Sequence, residues 1–260
     1  MLTHIRVPTS EAELAADALW LAGASAVAEH GGADDTVTMV GDATGSIDGV
    51  PSHWVVSSQE VLDDGLDAWR PFASAARVGP FTVRAPWLAA PTDGSIDLAI
   101  DPGRAFGSGS HPTTQLVLRA LASLVGPSTS VLDVGCGSGV LAIAAGRLGA
   151  SFVVAVDVDP VAVSATLENA ARNDVVVEAH SELVDSQFDV VVANIGAATL
   201  IELAPALTAR VASGGTLVLS GVLDDSVLAA FDRCRLVERS EDEDWLCFVL
   251  ASVKPGSGLH

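Results

Sequence analysis

The order of hydrophobic and polar positions changes near residue 96 of this 260-residue chain. Beyond that point, valine-rich runs of strand length alternate with longer stretches in which apolar residues recur at helical spacing. Strands that alternate with helices are joined by right-handed crossovers, which build a parallel sheet covered on both faces. Residues 96–253 are therefore predicted to form a doubly wound α/β domain. Its predicted strands are 130–135, 152–158, 175–179, 188–195 and 215–221, and its predicted helices are 139–150, 159–173 and 197–212.

The segments that flank this pattern have different compositions. Residues 226–253 predict a helix and then an antiparallel hairpin at the sheet edge, so the sheet is expected to be mostly parallel. Residues 1–58 combine short strand-like runs with one helix and predict a small α+β domain. Residues 59–95 hold a charged helix and a stretch interrupted by Pro and Gly, which predict a connector. Residues 254–260 have linker composition and predict a disordered tail.

The charge balance limits the classes of partner. The chain has 33 acidic and 13 basic side chains, for a formal net charge of −20. A field of this sign repels the phosphate backbone of nucleic acids and attracts basic proteins, although the same charge can also serve solubility alone. No direct nucleic-acid partner is expected, and a lysine-rich protein is the partner type that the charge favours.

The sequence shows no signal for a membrane span, secretion or a metal site. No apolar run approaches the length of about 20 residues that spans a bilayer, and the first residues lack the basic and apolar regions of a secretory leader. Cys136, Cys234 and Cys247 form no C-x-x-C pair, and the six histidines show no zinc-ligand spacing. We therefore expect a cytoplasmic protein with no membrane association and no metal. The sequence leaves the oligomeric state open, and a monomer is favoured.

A glycine-rich turn follows the first predicted strand of the doubly wound domain. Gly135, Cys136, Gly137 and Gly139 lie between this strand and an alanine-rich helix. A strand, glycine turn and helix in this order place free backbone N–H groups at the carboxyl edge of the sheet, where such folds bind ligands. Position 140 is Val, so the dinucleotide pattern G-x-G-x-x-G is absent, and a nucleoside without a pyrophosphate is the favoured ligand. A turn without a ligand is the alternative.

Polar residues end the next two long strands of this domain. Asp157 ends its strand and lies 22 residues after Gly135, close to the roughly 20 expected for an acid that accepts from ribose hydroxyls, with an ordinary strand-end acid as the alternative. Asp159 precedes Pro160, an arrangement typical of a helix N-cap, so Asp159 is expected to be structural. The Asn194 amide offers a donor and an acceptor, which suit the orientation of an amine nucleophile, with a turn-forming Asn as the alternative.

These motifs together resemble a known family. DVGCGSG, the acid of VDVDP and ANI resemble the motifs of class I S-adenosylmethionine-dependent methyltransferases, which have a Rossmann-like domain. The stretch DPGRAFGSGSHPTT, residues 101–114, resembles the signature loop of the ribosomal protein L11 methyltransferases. IRVP with its following helix resembles that family's small substrate-recognition domain. The resemblance covers nearly the whole chain and is weakest between residues 31 and 55.

The resemblance implies an activity and a set of contacts. It implies S-adenosyl-L-methionine as the cofactor and protein N-methylation as the reaction, on lysine side chains or the N-terminus of ribosomal protein L11. The family's cofactor contacts fall on Thr114, Gly135, Asp157 and Asn194. Asn194 is then expected to orient the amine, and Phe106 is a candidate for the pocket wall. Alternatives are another protein lysine or small amine as substrate, and a binding protein without transferase activity.

His111 raises a separate question, because it lies in the signature loop and could serve as a general base. A Walker loop is excluded, since the chain has no lysine before Lys254. Pro112 and the apolar pattern that follows predict that His111 lies at the start of a helix. A structural or loop-orienting role is therefore favoured over proton transfer.

Overall fold

The computed structural model describes residues 2–24, 27–31, 35–41, 43, 45, 47, 50–59, 74–101, 109 and 111–252. The chain divides into two compact units, residues 1–71 and residues 72–260. In the described parts of both units, no helix combines the length and the apolar character needed to cross a membrane.

The first unit is a small α+β structure, as its mixed pattern predicted. Its four strands form an antiparallel sheet in the order β2-β3-β1-β4. Ala15 and Leu19 of helix α1 are fully buried and pack with Ile5, Val37 and Trp54 in one core. The elements are β1 (Leu2–Pro8), a 3-10 turn (Thr9–Glu11), α1 (Ala12–Leu21), β2 (Val27–Gly31), β3 (Thr36–Gly41) and β4 (Val55–Gln59).

The second unit contains the predicted doubly wound sheet. Its seven strands run in the order β10-β9-β8-β11-β12-β14-β13, and the first five are mutually parallel. Strands β13 and β14 pair antiparallel, and β14 also pairs antiparallel with β12, which confirms the predicted hairpin at the edge. The strands are β8 (Ser130–Val134), β9 (Phe152–Val156), β10 (Glu178–His180), β11 (Phe188–Asn194), β12 (Val211–Val222), β13 (Cys234–Asp242) and β14 (Trp245–Ser252).

Helices cover both faces of this sheet. Successive residues of β11 alternate between two cores: Val190 and Val192 pack in the core shared with α2 and α3, and Val191 and Ala193 in the core shared with α5. Such alternation is what a buried parallel strand requires. The helices are α2 (Pro112–Leu124), α3 (Val140–Arg147), α4 (Pro160–Arg172), α5 (Ala197–Arg210) and a 3-10 helix (Asp225–Phe231).

The run predicted as a strand over 175–179 folds differently. The strand β10 begins only at Glu178, and Val176 is 88% exposed. Val175 instead packs closely against Gly146 of α3. A Cβ added to Gly146 would lie 2.2 Å from Cγ1 of Val175. Val175 therefore packs against a helix, a contact that strand periodicity alone does not reveal.

A second, three-stranded sheet leads the chain toward the signature loop. Strands β5 (Ala76–Val78) and β6 (Phe81–Arg84) fall in the predicted connector, and β6 pairs parallel with β7 (Ile96–Ala99). Two buried side-chain amides, Asn169 in α4 and Asn173 at its C-cap, bond the backbone at the end of β7. Asn173 bonds both backbone groups of Ala99, and Asn169 bonds both backbone groups of Asp101, at 2.8–3.0 Å. This fixes where the loop begins.

Candidate active site

A cavity of about 500 Å³ opens at the carboxyl ends of β8, β9 and β11. This is the edge at which doubly wound folds bind ligands. Most of its lining is apolar, and a few polar groups converge on it, as is typical of small-molecule sites. The lining includes His111, Thr113 and Thr114 from the start of α2, Gly135, Cys136 and Gly137 from the glycine turn, Asp157, Asn194 to Gly196, Thr199, Gly221 and Trp245.

The glycine turn is shaped by close packing. Gly135 has a φ of +76°, and a Cβ on it would lie 2.3 Å from Cγ2 of Ile195, so only glycine fits. The N–H groups of Gly135 and Cys136 donate to the Val156 carbonyl, which ties the turn to β9. Gly139 is the N-cap residue of α3, packs against Thr166 and is not among the residues that line the cavity, and its predicted cofactor contact stays a prediction.

Asp157 and Asp159 make different contacts after the end of β9. The Asp159 side chain caps α4 by accepting from the Val161 N–H at 2.8 Å, which confirms its structural role. Asp157 lines the cavity and accepts from the N–H groups of Gly137 at 2.9 Å and Asp159 at 3.0 Å. These bonds hold its carboxylate in place, and each oxygen keeps a lone pair for a ligand hydroxyl.

Asn194 lies at the end of β11 and meets the start of α2. Its Nδ2 is 3.2 Å from Oγ1 of Thr113 and 3.5 Å from Oγ1 of Thr114. Both threonines are at most 3% exposed. The predicted contacts Thr114, Gly135, Asp157 and Asn194 thus surround one cavity, although their roles stay predictions. Phe106 lies outside the described residues.

His111 occupies the helix start that the sequence predicted. It is the N-cap residue of α2, with Pro112 at the first helical position, and its Nδ1 accepts from the Thr113 N–H at 3.3 Å. Its ring also meets the Trp245 ring edge to face, with centroids 5.0 Å apart. The capping role is therefore confirmed.

Several cavity residues were not predicted as site residues, among them Thr113, Gly221 and Trp245. Gly221 is the last residue of the predicted strand 215–221, so the reasoning applied to Gly135 could have selected it. Thr113 differs from Thr114 by one position within the quoted loop, and only the packing against Asn194 distinguishes the two. Trp245 belongs to the hairpin, whose distance from the cavity no local pattern gives.

Asp133 lies beneath the glycine turn and is 1% exposed. Its Oδ2 accepts from the Ala142 N–H at 3.1 Å, whereas its Oδ1 has no partner among the described residues. Burial raises the pKa of this carboxyl to about 7, and the Asp157 charge adds to the shift. Burial likewise raises the pKa of the Cys136 thiol to about 12, so Cys136 remains a thiol and is no nucleophile.

Asp133→Asn is expected to change the pH dependence of stability. Because the folded pKa of about 7 lies above the unfolded value, the folded state binds the extra proton, and this stabilisation is lost as the pH rises toward 7. Between pH 5.5 and 7.5 the free energy of unfolding of the wild type should fall by about 2 kcal/mol more than that of the variant. Urea denaturation at both pH values measures the difference.

Asp189→Asn is the matched control for this prediction. Ser130 donates two hydrogen bonds to Asp189, which lower its pKa, so Asp189 is ionised in both states throughout this pH interval. Its effect on stability should be the same at pH 5.5 and 7.5. Parallel pH profiles for wild type and Asp133→Asn would contradict the raised pKa.

The sheet order and the cavity at the carboxyl ends of its strands together define the second unit as a Rossmann-like ligand-binding domain. A family model described as ribosomal protein L11 methyltransferase (PrmA) matches residues 33–252. The chain belongs to this ribosomal protein L11 methyltransferase family. The family that the sequence motifs indicated is thereby confirmed.

Individual relatives agree with this assignment. The ribosomal protein L11 methyltransferase of Symbiobacterium thermophilum is 41% identical over 69% of this chain and 59% of its own length. That of Saccharophagus degradans is 40% identical over 78% of this chain and 71% of its own length. The crystal structure of a ribosomal protein L11 methylase from Lactobacillus delbrueckii subsp. bulgaricus, 29% identical, superposes with a TM-score of 0.63 over 68% of this chain and 98% of that one.

The chain is short beside some relatives. Its match spans 59% of the Symbiobacterium protein and 58% of the Dechloromonas aromatica protein.

Proposed function

We propose that this protein is an S-adenosyl-L-methionine-dependent N-methyltransferase that methylates amino groups of ribosomal protein L11. The observation that carries the proposal is the cavity of the second unit, where the glycine turn, Asp157, Thr114 and Asn194 meet in a member of this family. Lysine side chains and the N-terminus of L11 are the proposed acceptors. A ribosomal substrate also places the proposed activity in the cytoplasm.

The residues present fit the cofactor. The cavity of about 500 Å³ is of the size that takes a nucleoside ligand. The Asp157 carboxylate, already oriented by two backbone N–H groups, is the acceptor for ribose hydroxyls. Thr114 and the turn at Gly135 are proposed to contact the parts of the cofactor other than its ribose hydroxyls. When bound, this cofactor supplies a methyl group already activated on a sulfonium.

The protein then has mainly to position the acceptor. A lysine has a pKa of about 10.4 in water and must reach the site as a neutral amine. A largely apolar cavity disfavours the ammonium form and lowers that pKa. The Asn194 amide is proposed to orient the neutral amine in line with the methyl group, which converts a bimolecular encounter into a positioned reaction.

The charge of the chain supports a basic protein substrate. A formal net charge of −20 draws a lysine-rich partner and speeds its encounter. We also propose that the first unit recognises the substrate, as the predicted domain at 1–58 would. In that unit Leu14, Trp20 and Val55 are large apolar side chains that are 61%, 49% and 61% exposed.

Mass spectrometry of purified L11 after incubation with the protein and methyl-labelled cofactor tests this function. Label on L11 amino groups is the expected result. Label that appears only on other proteins or on small amines of a lysate would support a methyltransferase but show that its substrate is not L11. Cofactor binding without transfer to any acceptor would indicate a non-catalytic binding protein and overturn the proposal.

A further inference from the structure

A chain of hydrogen bonds runs from the start of α2 to the end of β11. His111 Nδ1 lies 2.8 Å from Oγ1 of Thr113, and that oxygen lies 3.2 Å from Nδ2 of Asn194. All three side chains line the cavity. The proposed function uses only the last of them, so the purpose of the first two is open.

The direction of each bond follows from the N-cap. The backbone N–H of Thr113 can only donate, and its acceptor is His111 Nδ1, which must therefore be unprotonated. The imidazole is then the tautomer with its proton on Nε2. An unprotonated Nδ1 cannot donate, so the Thr113 hydroxyl donates the hydrogen bond and Nδ1 accepts it.

The orientation of the Asn194 amide follows in turn. Because the Thr113 hydroxyl donates to His111, its oxygen is free to accept, and Asn194 must present its NH₂ group to it. The Thr114 hydroxyl, 3.5 Å from the same nitrogen, supports this orientation weakly. The carbonyl oxygen Oδ1 is the end of the amide left for a ligand in the cavity.

We propose that Thr113 and His111 are positioning residues that fix the Asn194 amide, so that Oδ1 accepts from the N–H of the amine to be methylated. This inference rests on the proposed function. An amine held by Oδ1 through its N–H keeps its lone pair free for attack on the methyl carbon. The N–C bond would form as the C–S bond of the sulfonium breaks, a neutral thioether would leave, and the methylated ammonium would lose a proton to solvent. A flipped amide would instead donate to the lone pair and block the attack.

Thr113→Val and Thr113→Ser test the chain of bonds. Valine keeps the shape and removes the hydroxyl, so kcat should fall about tenfold while the Kd for the cofactor changes less than about threefold. Serine restores the hydroxyl and should keep kcat within about threefold of wild type. In the Asn194→Ala background, Thr113→Val should have no further effect on kcat, because Thr113 acts through Asn194. Loss confined to cofactor affinity, a serine variant as slow as valine, or additive losses would overturn the proposal.

A measurement without turnover separates this inference from the proposed function. Long-range ¹H–¹⁵N NMR of histidine-labelled wild type, with His111→Asn to assign the signal, should show the Nε2–H tautomer of His111. The Nδ1 signal should shift in Thr113→Val. A protonated Nδ1 would overturn the chain of bonds even if methyl transfer is found. The expected tautomer with no transfer to any acceptor would instead refute the proposed function alone.

Discussion

Replacing Asn194 by Ala is expected to lower kcat for methyl transfer on the order of a hundredfold. The amide is the one side chain at the end of β11 that joins the cavity to the buried threonines of α2. On the proposed function, alanine removes the oxygen that orients the acceptor amine and leaves the proposed cofactor contacts at the glycine turn and Asp157 unchanged. The Kd for the cofactor, measured by calorimetry, should therefore rise by less than about tenfold.

Gln187→Ala is the matched control for this substitution. It removes a side-chain amide that directly precedes β11, at the opposite end of this strand from Asn194. Nε2 of Gln187 donates to the Ala209 carbonyl at 3.2 Å. Single-turnover rates of the control should equal those of wild type. Unchanged turnover in Asn194→Ala would remove Asn194 from the mechanism.

Gly221→Ala is expected to destabilise the second unit by about 4 kcal/mol. Gly221 has a φ of +91°, and a Cβ there would lie 2.5 Å from the carbonyl oxygen of Ile195 and 2.9 Å from its carbonyl carbon. Backbone cannot rotate away as a side chain can, so either β12 or the segment after Asn194 must move. Methyl transfer should fall as well, since the displaced residues line the cavity.

Gly214→Ala isolates the steric part of this effect. Gly214 lies in the same strand with a φ of +82°, and a Cβ on it would meet no atom within 4 Å. The control therefore retains only the backbone penalty, about 1 kcal/mol. Guanidinium denaturation followed by circular dichroism compares the two variants. Equal losses would show that the contact with Ile195 relaxes without cost.

Much of the second unit could be predicted because its signals are local. Valine-rich runs marked four of the five parallel strands, and Asx-Pro and His-Pro pairs marked the starts of α4 and α2. The predicted strand at 175–179 was wrong over most of its length, because Val175 packs against Gly146 of helix α3. That contact joins residues 29 positions apart, as 175 minus 146 gives, and no periodicity within either segment reports it.

The candidate site follows the same division. Asp157 and Gly135 could be selected because each follows a strand directly, and parallel strands end at one edge of a sheet. Asp133 precedes the same turn, yet the raised pKa of its carboxyl and the lack of a partner for its Oδ1 among the described residues depend on its burial. Gly139 shares the glycine spacing, but its position against Thr166 keeps it off the cavity.

The sequence alone determined the family, the order of strands and helices, and which strand ends hold polar groups. Those features depend on side-chain periodicity and on turn residues within a few positions of one another. Only the tertiary structure brought Thr113 to Asn194, 81 residues away, and Gly221 against Ile195. The physical reason is that such contacts depend on how strands and helices pack to within a few tenths of an ångström, and local torsional preferences do not fix those distances.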